Sequence, residues 1–325
     1  MTRYARVAGW GKYLPKRVLT NHDLAAMVNT SDAWIRSRTG IIERRIAADH
    51  DTASTMGIEA GRQALEIAQL SAGAIDLIIA ATVTPETLFP ACASLIQHGL
   101  GAFKAAAFDL NAACSGFVYA LITAYQFIST GTYDNILVIG SEVCSRITDW
   151  RDRNTCVLFG DGAGAVLLQA AESPTVSLGF TMGSDGSGAD LLYVPGLCGN
   201  PTRFSQNGHF ITMNGQEVFK FAVHTMSEAT KQAIAAAGLE LSDIDLFIPH
   251  QANERIIKAA AKSLGLTKEK VFINVDRYGN TSAASIPIAL CEAIEQGRVR
   301  EGDHIVLVGF GGGLSWAAMV FQWSI

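Results

Sequence analysis

The sequence predicts a layered α/β protein built from two related halves. Apolar runs of strand length alternate with segments of helical period, and a block of motifs recurs 169 residues downstream of itself. Asp76-Leu-Ile-Ile returns as Asp245-Leu-Phe-Ile, and Asp134-Asn-Ile-Leu-Val-Ile-Gly140 returns as Asp303-His-Ile-Val-Leu-Val-Gly309. Strands buried on both faces read as near-continuous apolar runs, so parallel or mixed sheets covered by helices are expected. A period this long is foreign to solenoids and fits a duplicated domain, divided as residues 1–172 and 173–325.

Asp51 to Leu70 has helical spacing, with Thr52, Ser54 and Thr55 available as N-terminal caps, and a strand follows at Ile75 to Thr82. A loop rich in Thr and Pro, Val83 to Pro90, leads to a short helix near Ala91 to Gly99. Strand Ala105 to Leu110 then gives way to helix Phe117 to Ile128, and strands Asn135 to Gly140 and Gly164 to Gln169 follow. Gly and Pro punctuate Ser173 to Asn214, and so long an irregular stretch in a compact enzyme usually carries function. Helix resumes at Gln216 to Ala237; the second half is then expected to repeat strand, helix, strand, turn, helix, strand, closing with Ser315 to Trp323.

With 325 residues and 49% hydrophobic content, the chain can bury a large core. No apolar run reaches the roughly 18 to 20 residues that span a bilayer, and Met1-Thr-Arg-Tyr-Ala-Arg precedes no signal-type core. A cytoplasmic protein without membrane insertion is expected. The six cysteines are scattered without metal-ligand spacing, so reduced thiols and no metal site are expected. A net charge of -5 gives no pull toward nucleic acid, and an acidic partner would have to meet a local basic patch.

The chemistry concentrates where strands end. Cys114, in Asn111-Ala-Ala-Cys-Ser-Gly116, sits between a strand and a helix, where the helix N-terminus favours a thiolate; close packing of a small residue is the alternative reading. The 169-residue offset carries Asn111 to Asn280, Cys114 to Ala283 and Ala81 to His250. Equivalent strand ends thus present Cys114, His250 and Asn280 to one shared site. Cys with His suits acyl transfer, and an asparagine amide adds a neutral donor for oxygen charge. Gly309-Phe-Gly-Gly-Gly313 can aim peptide N–H groups at an oxyanion, or can simply make a tight connection to the last strand. Gly160-Asp-Gly-Ala-Gly164 lacks the full dinucleotide fingerprint, and a strand follows it.

These residues, with Ser31-Asp-Ala-Trp-Ile-Arg-Ser-Arg-Thr-Gly40, Asp152 to Gly164, His250-Gln-Ala-Asn253 and Tyr278-Gly-Asn-Thr-Ser282, resemble the β-ketoacyl-acyl carrier protein synthase III enzymes over essentially the whole chain. The resemblance implies a thiolase-like five-layered αβαβα fold, a homodimer, and decarboxylative condensation of an acyl-CoA primer with malonyl-ACP, without metal or prosthetic group. It implies Cys114 as acyl-accepting nucleophile, His250 and Asn280 as supports for decarboxylation, and an oxyanion hole from the N–H groups of Cys114 and Gly312. Specialised relatives that move acyl groups to other acceptors share this framework; HMG-CoA synthases have a glutamate base in the first half, and Glu86 lies in a loop suited to such a residue.

By the same resemblance, Trp34 and Arg153 sandwich the adenine of CoA, while Thr30, Arg38, Gly215, Phe219, Asn253 and Ile256 line the pantetheine channel or nucleotide pocket. Phe89, Leu191 and Phe159 bound the acyl pocket. Arg255, Lys258 and Lys262 share one helix face opposite Ile257, Ala261 and Leu264. That face, with Lys220, is the candidate dock for the acidic acyl carrier protein.

Overall fold

The structure, a computed structural model, describes residues 3–171, 178–196 and 208–325. The expected division at residues 172 and 173, and part of the irregular stretch that follows it, lie outside them.

Two mixed sheets form the frame. The first contains β1 (Tyr4–Tyr13), β2 (Leu77–Ala81), β3 (Ala106–Leu110), β4 (Asn135–Val143) and β5 (Asp161–Ala171), in the spatial order β1-β5-β4-β2-β3. The second contains β6 (Gly179–Ser184), β7 (Leu246–Pro249), β8 (His304–Gly311) and β9 (Ser315–Gln322), in the order β7-β8-β9-β6. β2 runs parallel to β3 and β4, and β7 runs parallel to β8; the remaining pairs are antiparallel. The second order, read backwards, repeats the first four strands of the first.

Seven helices of eight or more residues appear among the described residues: α1 (Asp32–Thr39), α2 (Ala53–Ala68), α3 (Cys92–Leu100), α4 (Gly116–Ser129), α5 (Gly215–Ala236), α6 (Glu254–Ser263) and α7 (Ser285–Glu295). α2 and α3 cover the outer face of the first sheet, and α5 and α6 that of the second. α4 and α7 lie between the sheets, where Phe117, Leu121, Ile122, Ile286 and Leu290 join strand residues in the largest apolar cluster. Five layers result. Truncating one of these central side chains to Ala is expected to cost about 2–5 kcal/mol.

Local chemistry explains the element ends. Thr52 caps α2 in a capping box with Thr55, as expected, and Asn253 caps α6 through the Arg255 N–H. Asp76 accepts the Asn135 N–H at 2.9 Å and Asp245 accepts the His304 N–H at 2.9 Å, so the repeated aspartates do the same work in each sheet.

Three readings are corrected. Tyr4–Tyr13, passed over in the sequence, is a full strand. Gly179–Ser184, inside the stretch read as irregular, pairs along β9. The strand expected before Asn280 shrinks to a single bridge between Phe247 and Val271, followed by a one-turn helix, Val275–Tyr278. Gly160 to Gly164 leads into β5 rather than a helix, as the sequence indicated.

Candidate active site

Cys114 stands in the turn Ala113–Ser115 that joins the end of β3 to α4. Ala113 holds a left-handed φ of 47°, and Ser282, 169 positions on, holds 48° in the turn that leads into α7. The hydroxyls of Ser115 and Ser315 lie 2.9 Å apart, and each donates to the Ala112 carbonyl, stitching the nucleophile's turn to β9. The hairpin joining β8 to β9 packs on that turn through Gly309 and Gly311.

Burial pushes the Cys114 thiol up to about 12; a hydrogen bond from the Ser282 hydroxyl opposes the shift, and the Glu142 carboxyl adds to it. The resting group is therefore a thiol, not the thiolate that the sequence suggested, because desolvation outweighs the hydrogen bonds that would favour the charged form. Glu142 is itself fully buried at the end of β4, where it accepts Thr84 Oγ1 at 2.6 Å, the Val83 N–H at 3.1 Å and Thr82 Oγ1 at 3.3 Å. Burial raises its carboxyl to about 7, against those hydrogen bonds.

His250 is the first residue beyond β7, and its N–H donates to the Val308 carbonyl at 2.8 Å. Its ring stands edge-on to Phe310, with centroids 5.3 Å apart, and Nδ1 lies 2.6 Å from Ser285 Oγ. Burial lowers the imidazole to about 3, so the ring is neutral. Asn280 is pinned by its backbone, donating to the Leu158 carbonyl at 2.8 Å and accepting from the Gly160 N–H at 3.0 Å. Its Oδ1 accepts the Ser282 N–H at 2.8 Å.

Cys114, His250 and Asn280 line one cavity of about 940 Å³, together with Trp34, Arg38 and Arg255. A second cavity of about 780 Å³, lined by Thr82, Cys144, Ile147, Ile211 and Gly312 among others, meets the first at Cys114, Phe159 and Leu192. The thiol thus sits where the two cavities meet.

Comparison with known proteins identifies the arrangement. Residues 108–186 match the family model described as 3-oxoacyl-[acyl-carrier-protein (ACP)] synthase III, and residues 234–323 match its C-terminal counterpart. A β-ketoacyl-[acyl-carrier-protein] synthase III of Symbiobacterium thermophilum is 54% identical over 98% of both chains. The chain belongs to the β-ketoacyl-acyl carrier protein synthase III family. One from Caldanaerobacter subterraneus is 52% identical, again over 98% of each chain. Crystal structures of the synthase III enzymes of Aquifex aeolicus and Thermus thermophilus superpose with TM-scores of 0.93 and 0.94, at 48% and 47% identity. They cover 98% of this chain and 100% and 99% of their own. The thiolase-like fold and the enzyme class expected from the sequence both hold.

In this synthase III chain, Trp34, Arg38, Gly215, Phe219, Asn253 and Ile256 line the first cavity, and Phe159 lines both. Asn253 Nδ2 donates to the Arg38 carbonyl at 3.1 Å. Arg153 lies over the Trp34 ring, 4.9 Å from its centroid, and donates to the Asn29 carbonyl at 3.0 Å, a spacing that leaves no room for a second ring between them. Thr30 lies outside both cavities, its hydroxyl buried without a hydrogen-bond partner among the described residues.

Two residues expected at the acyl pocket lie outside both cavities of the single chain. Leu191 lines neither cavity; it turns toward Gly188, and Leu192, its neighbour on the opposite face, takes the place expected for it. Phe89 is 85% exposed on a loop closed by the Thr87 hydroxyl on the Pro90 carbonyl, and Leu88 rather than Phe89 reaches the second cavity. Glu86 caps α2 through the Ser54 N–H at 2.8 Å. Burial would raise its carboxyl, yet the hydrogen bonds from Ser54 and Thr52 outweigh burial and hold it below the ordinary range, unlike a general base.

Arg255, Lys258 and Lys262 are exposed on α6, while Ile257, Ala261 and Leu264 are buried. Lys258 pairs with Glu254 at 2.7 Å, Lys220 pairs with Glu217 at 2.8 Å, and Arg255 stacks over Phe219. Sequence reading missed Glu142, Ser282, Ser285 and Leu192. The signals were a glutamate closing an apolar strand, and the offset that carries Ala113 to Ser282 and Gly116 to Ser285.

Proposed function

We propose that this synthase III chain condenses an acyl-CoA primer with malonyl-ACP, releasing CoA and CO₂ and giving a 3-oxoacyl-ACP, the opening step of fatty acid synthesis. The observation that carries this reading is the convergence of one thiol, one neutral imidazole and one carboxamide on a single cavity.

The Cys114 thiol attacks the acyl-CoA thioester carbonyl, forming the acyl–sulfur bond and breaking the bond to CoA, whose departing sulfur takes up the thiol proton. The N–H groups of Cys114 and Gly312 hold the oxygen charge that develops. The acyl tail occupies the second cavity, against Phe159, while CoA lies along Trp34, Arg38, Gly215, Phe219, Asn253 and Ile256, with Arg153 lifting to admit the adenine. Malonyl-ACP then enters. Its carbon–carboxylate bond breaks, the electron pair passes into the thioester as an enolate, and His250 and Asn280 hold the enolate oxygen. The nucleophilic carbon attacks the acyl-Cys114 carbonyl and frees the thiolate, a ping-pong scheme in which loss of CO₂ drives bond formation and no cofactor takes part.

The basic face of Arg255, Lys258 and Lys262, with Lys220 beside the entrance, receives the acidic carrier protein. A homodimer is supported by the edge of β3, unpaired among the described residues, and by the exposed apolar side chains of Leu88, Phe89 and Phe103. Division into halves 1–172 and 173–325 is supported by the repeated strand order and the paired turns at Ala113 and Ser282. We place the enzyme in the cytoplasm; no helix among the described residues is long and apolar enough to cross a membrane.

The test is intact-protein mass after exposure to a panel of acyl-CoA thioesters, followed by malonyl-ACP with detection of 3-oxoacyl-ACP. An adduct absent in Cys114→Ala and discharged by malonyl-ACP supports the reading and ranks the primers. An adduct that malonyl-ACP leaves in place overturns it in favour of transfer to another acceptor.

A further inference from the structure

We infer that Ser285, at the first position of α7, is a positioning residue that fixes the proton of His250 on Nε2, so that the imidazole meets the substrate as a hydrogen-bond donor and not as a base. The inference deepens the proposed condensation and rests on that reading for its catalytic consequence.

The argument starts from the valence of one hydroxyl. A serine Oγ carries one proton to give and two lone pairs to offer. Ser285 Oγ touches two partners among the described residues: the backbone N–H of Gln251 at 3.3 Å and Nδ1 of His250 at 2.6 Å. An amide N–H only donates, so that bond occupies a lone pair of Oγ. The serine proton finds one acceptor, Nδ1. Ser285 and His250 are 2% and 1% exposed, so bulk water does not compete for either. The chain therefore runs from the Gln251 N–H to Ser285 Oγ–H to Nδ1. A neutral ring that accepts at Nδ1 carries its hydrogen on Nε2.

The same logic fixes Asn280 independently. The Ser282 N–H, 2.8 Å away, also only donates, so the atom that receives it is Oδ1 and the amide's two hydrogens sit on Nδ2. Both side chains line the first cavity with Cys114. Two backbone N–H groups, one direct and one relayed through Ser285, thus leave each side chain a free N–H donor. Two neutral donors match an enolate oxygen, which needs hydrogen bonds and offers no proton. The burial that keeps the ring uncharged acts in the same direction, because an imidazolium would hold a hydrogen on both nitrogens.

Gln251 is itself held firmly. Its Nε2 donates to the Pro249 carbonyl at 2.8 Å and its Oε1 accepts the Asn274 N–H at 2.9 Å, while Asn274 Nδ2 donates to the buried Glu292 at 3.0 Å. The relay therefore ends on a fixed frame.

The experiment reads ring protonation directly. Long-range ¹H–¹⁵N spectra of the ¹⁵N-histidine-labelled full-length enzyme, with the His250 signals assigned by their loss in His250→Gln among seven histidines, report which nitrogen bears hydrogen. Expected is the Nε2–H pattern in the wild type, lost or mixed in Ser285→Ala and restored in Ser285→Thr. In parallel, Ser285→Ala should keep acyl-adduct formation from acyl-CoA but lose roughly 10²-fold in condensation, as removal of an oriented oxyanion donor does. An Nδ1–H pattern in the wild type overturns the inference, as does an Nε2–H pattern with full condensation in Ser285→Ala. An Nε2–H ring in an enzyme that never discharges its adduct to malonyl-ACP upholds the tautomer and sinks the condensation reading, so the two fail separately.

Discussion

Gly311 presses on Cys114 so closely that a β-carbon at position 311 would stand 2.6 Å from the Cys114 backbone nitrogen. The contact is with backbone, which has no soft end to yield. Gly311→Ala is therefore expected to displace the nucleophile's turn, lowering stability by about 1–3 kcal/mol and cutting the rate of acyl-adduct formation. Thermal unfolding and adduct mass spectrometry check both. An alanine variant that acylates at the wild-type rate would show that the hairpin does not set the position of the thiol.

Asn280→Ala should separate the two half-reactions. The thiol and the second cavity are untouched, so an acyl adduct still forms, whereas loss of one donor should slow condensation by about 10²–10³-fold. Rapid-quench measurement of each step reads the split, and equal loss in both would contradict the role assigned to Asn280.

The buried imidazole makes a signed prediction about acid. His250 titrates near 3 when folded and near 6.5 when exposed, so between these values the unfolded chain binds more protons. Its contribution to stability is thus full above about 6.5 and is lost as pH falls toward 3. Denaturant titrations from pH 7 to pH 4 should show wild type losing more stability than His250→Gln. Parallel curves would mean that the ring is charged in the folded protein.

Glu142 works in the opposite direction. Its folded carboxyl titrates near 7, above the ordinary 4.5, so it opposes folding increasingly as pH rises through that window. Its charge also holds the Cys114 thiol up. Glu142→Gln is expected to shift the pH profile of iodoacetamide alkylation at Cys114 toward lower pH and to flatten the fall in stability between pH 5 and pH 8. An unchanged alkylation profile would remove Glu142 from the electrostatics of the nucleophile.

Charge reversal on α6 tests docking. Lys258→Glu and Lys262→Glu should raise KM for malonyl-ACP about 5- to 10-fold, more steeply at low salt, and leave adduct formation from acyl-CoA unchanged. The same loss with malonyl-CoA as extender would indicate damage to the entrance instead of the docking face.

The frame was legible because its signals are local or periodic. Apolar runs gave β2, β4, β7 and β8, and the constant offset carried Ala81 to His250 and Asn111 to Asn280, beside Cys114. β1 escaped because Gly9 and Gly11 interrupt its pattern, although both allow α2 to lie against the strand. The strand expected before Asn280 failed because Val271 and Ile273 sit at a sheet edge with a single bridge to hold them. Leu191 and Phe89 turned on side-chain direction in loops, which no period encodes. The state of the thiol was misjudged because burial around Cys114 comes from β8, the turn at Ser282 and β4, which meet only in three dimensions. Ser285 and Glu142 matter through hydrogen bonds that a residue name does not reveal.

The twin turns at Ala113 and Ser282 have an electrical consequence. Each delivers the first turn of a central helix, α4 or α7, to the site, so two sets of unpaired peptide N–H groups converge where negative charge appears. The groups meeting there are a thiol, an uncharged ring and an amide, so apart from the buried Glu142 the field comes from dipoles fixed by the fold. Ionic strength scarcely reaches such a field, while the lysines of α6 lie exposed to it. Salt should therefore govern how often the carrier arrives and leave almost untouched how fast the bound substrates react.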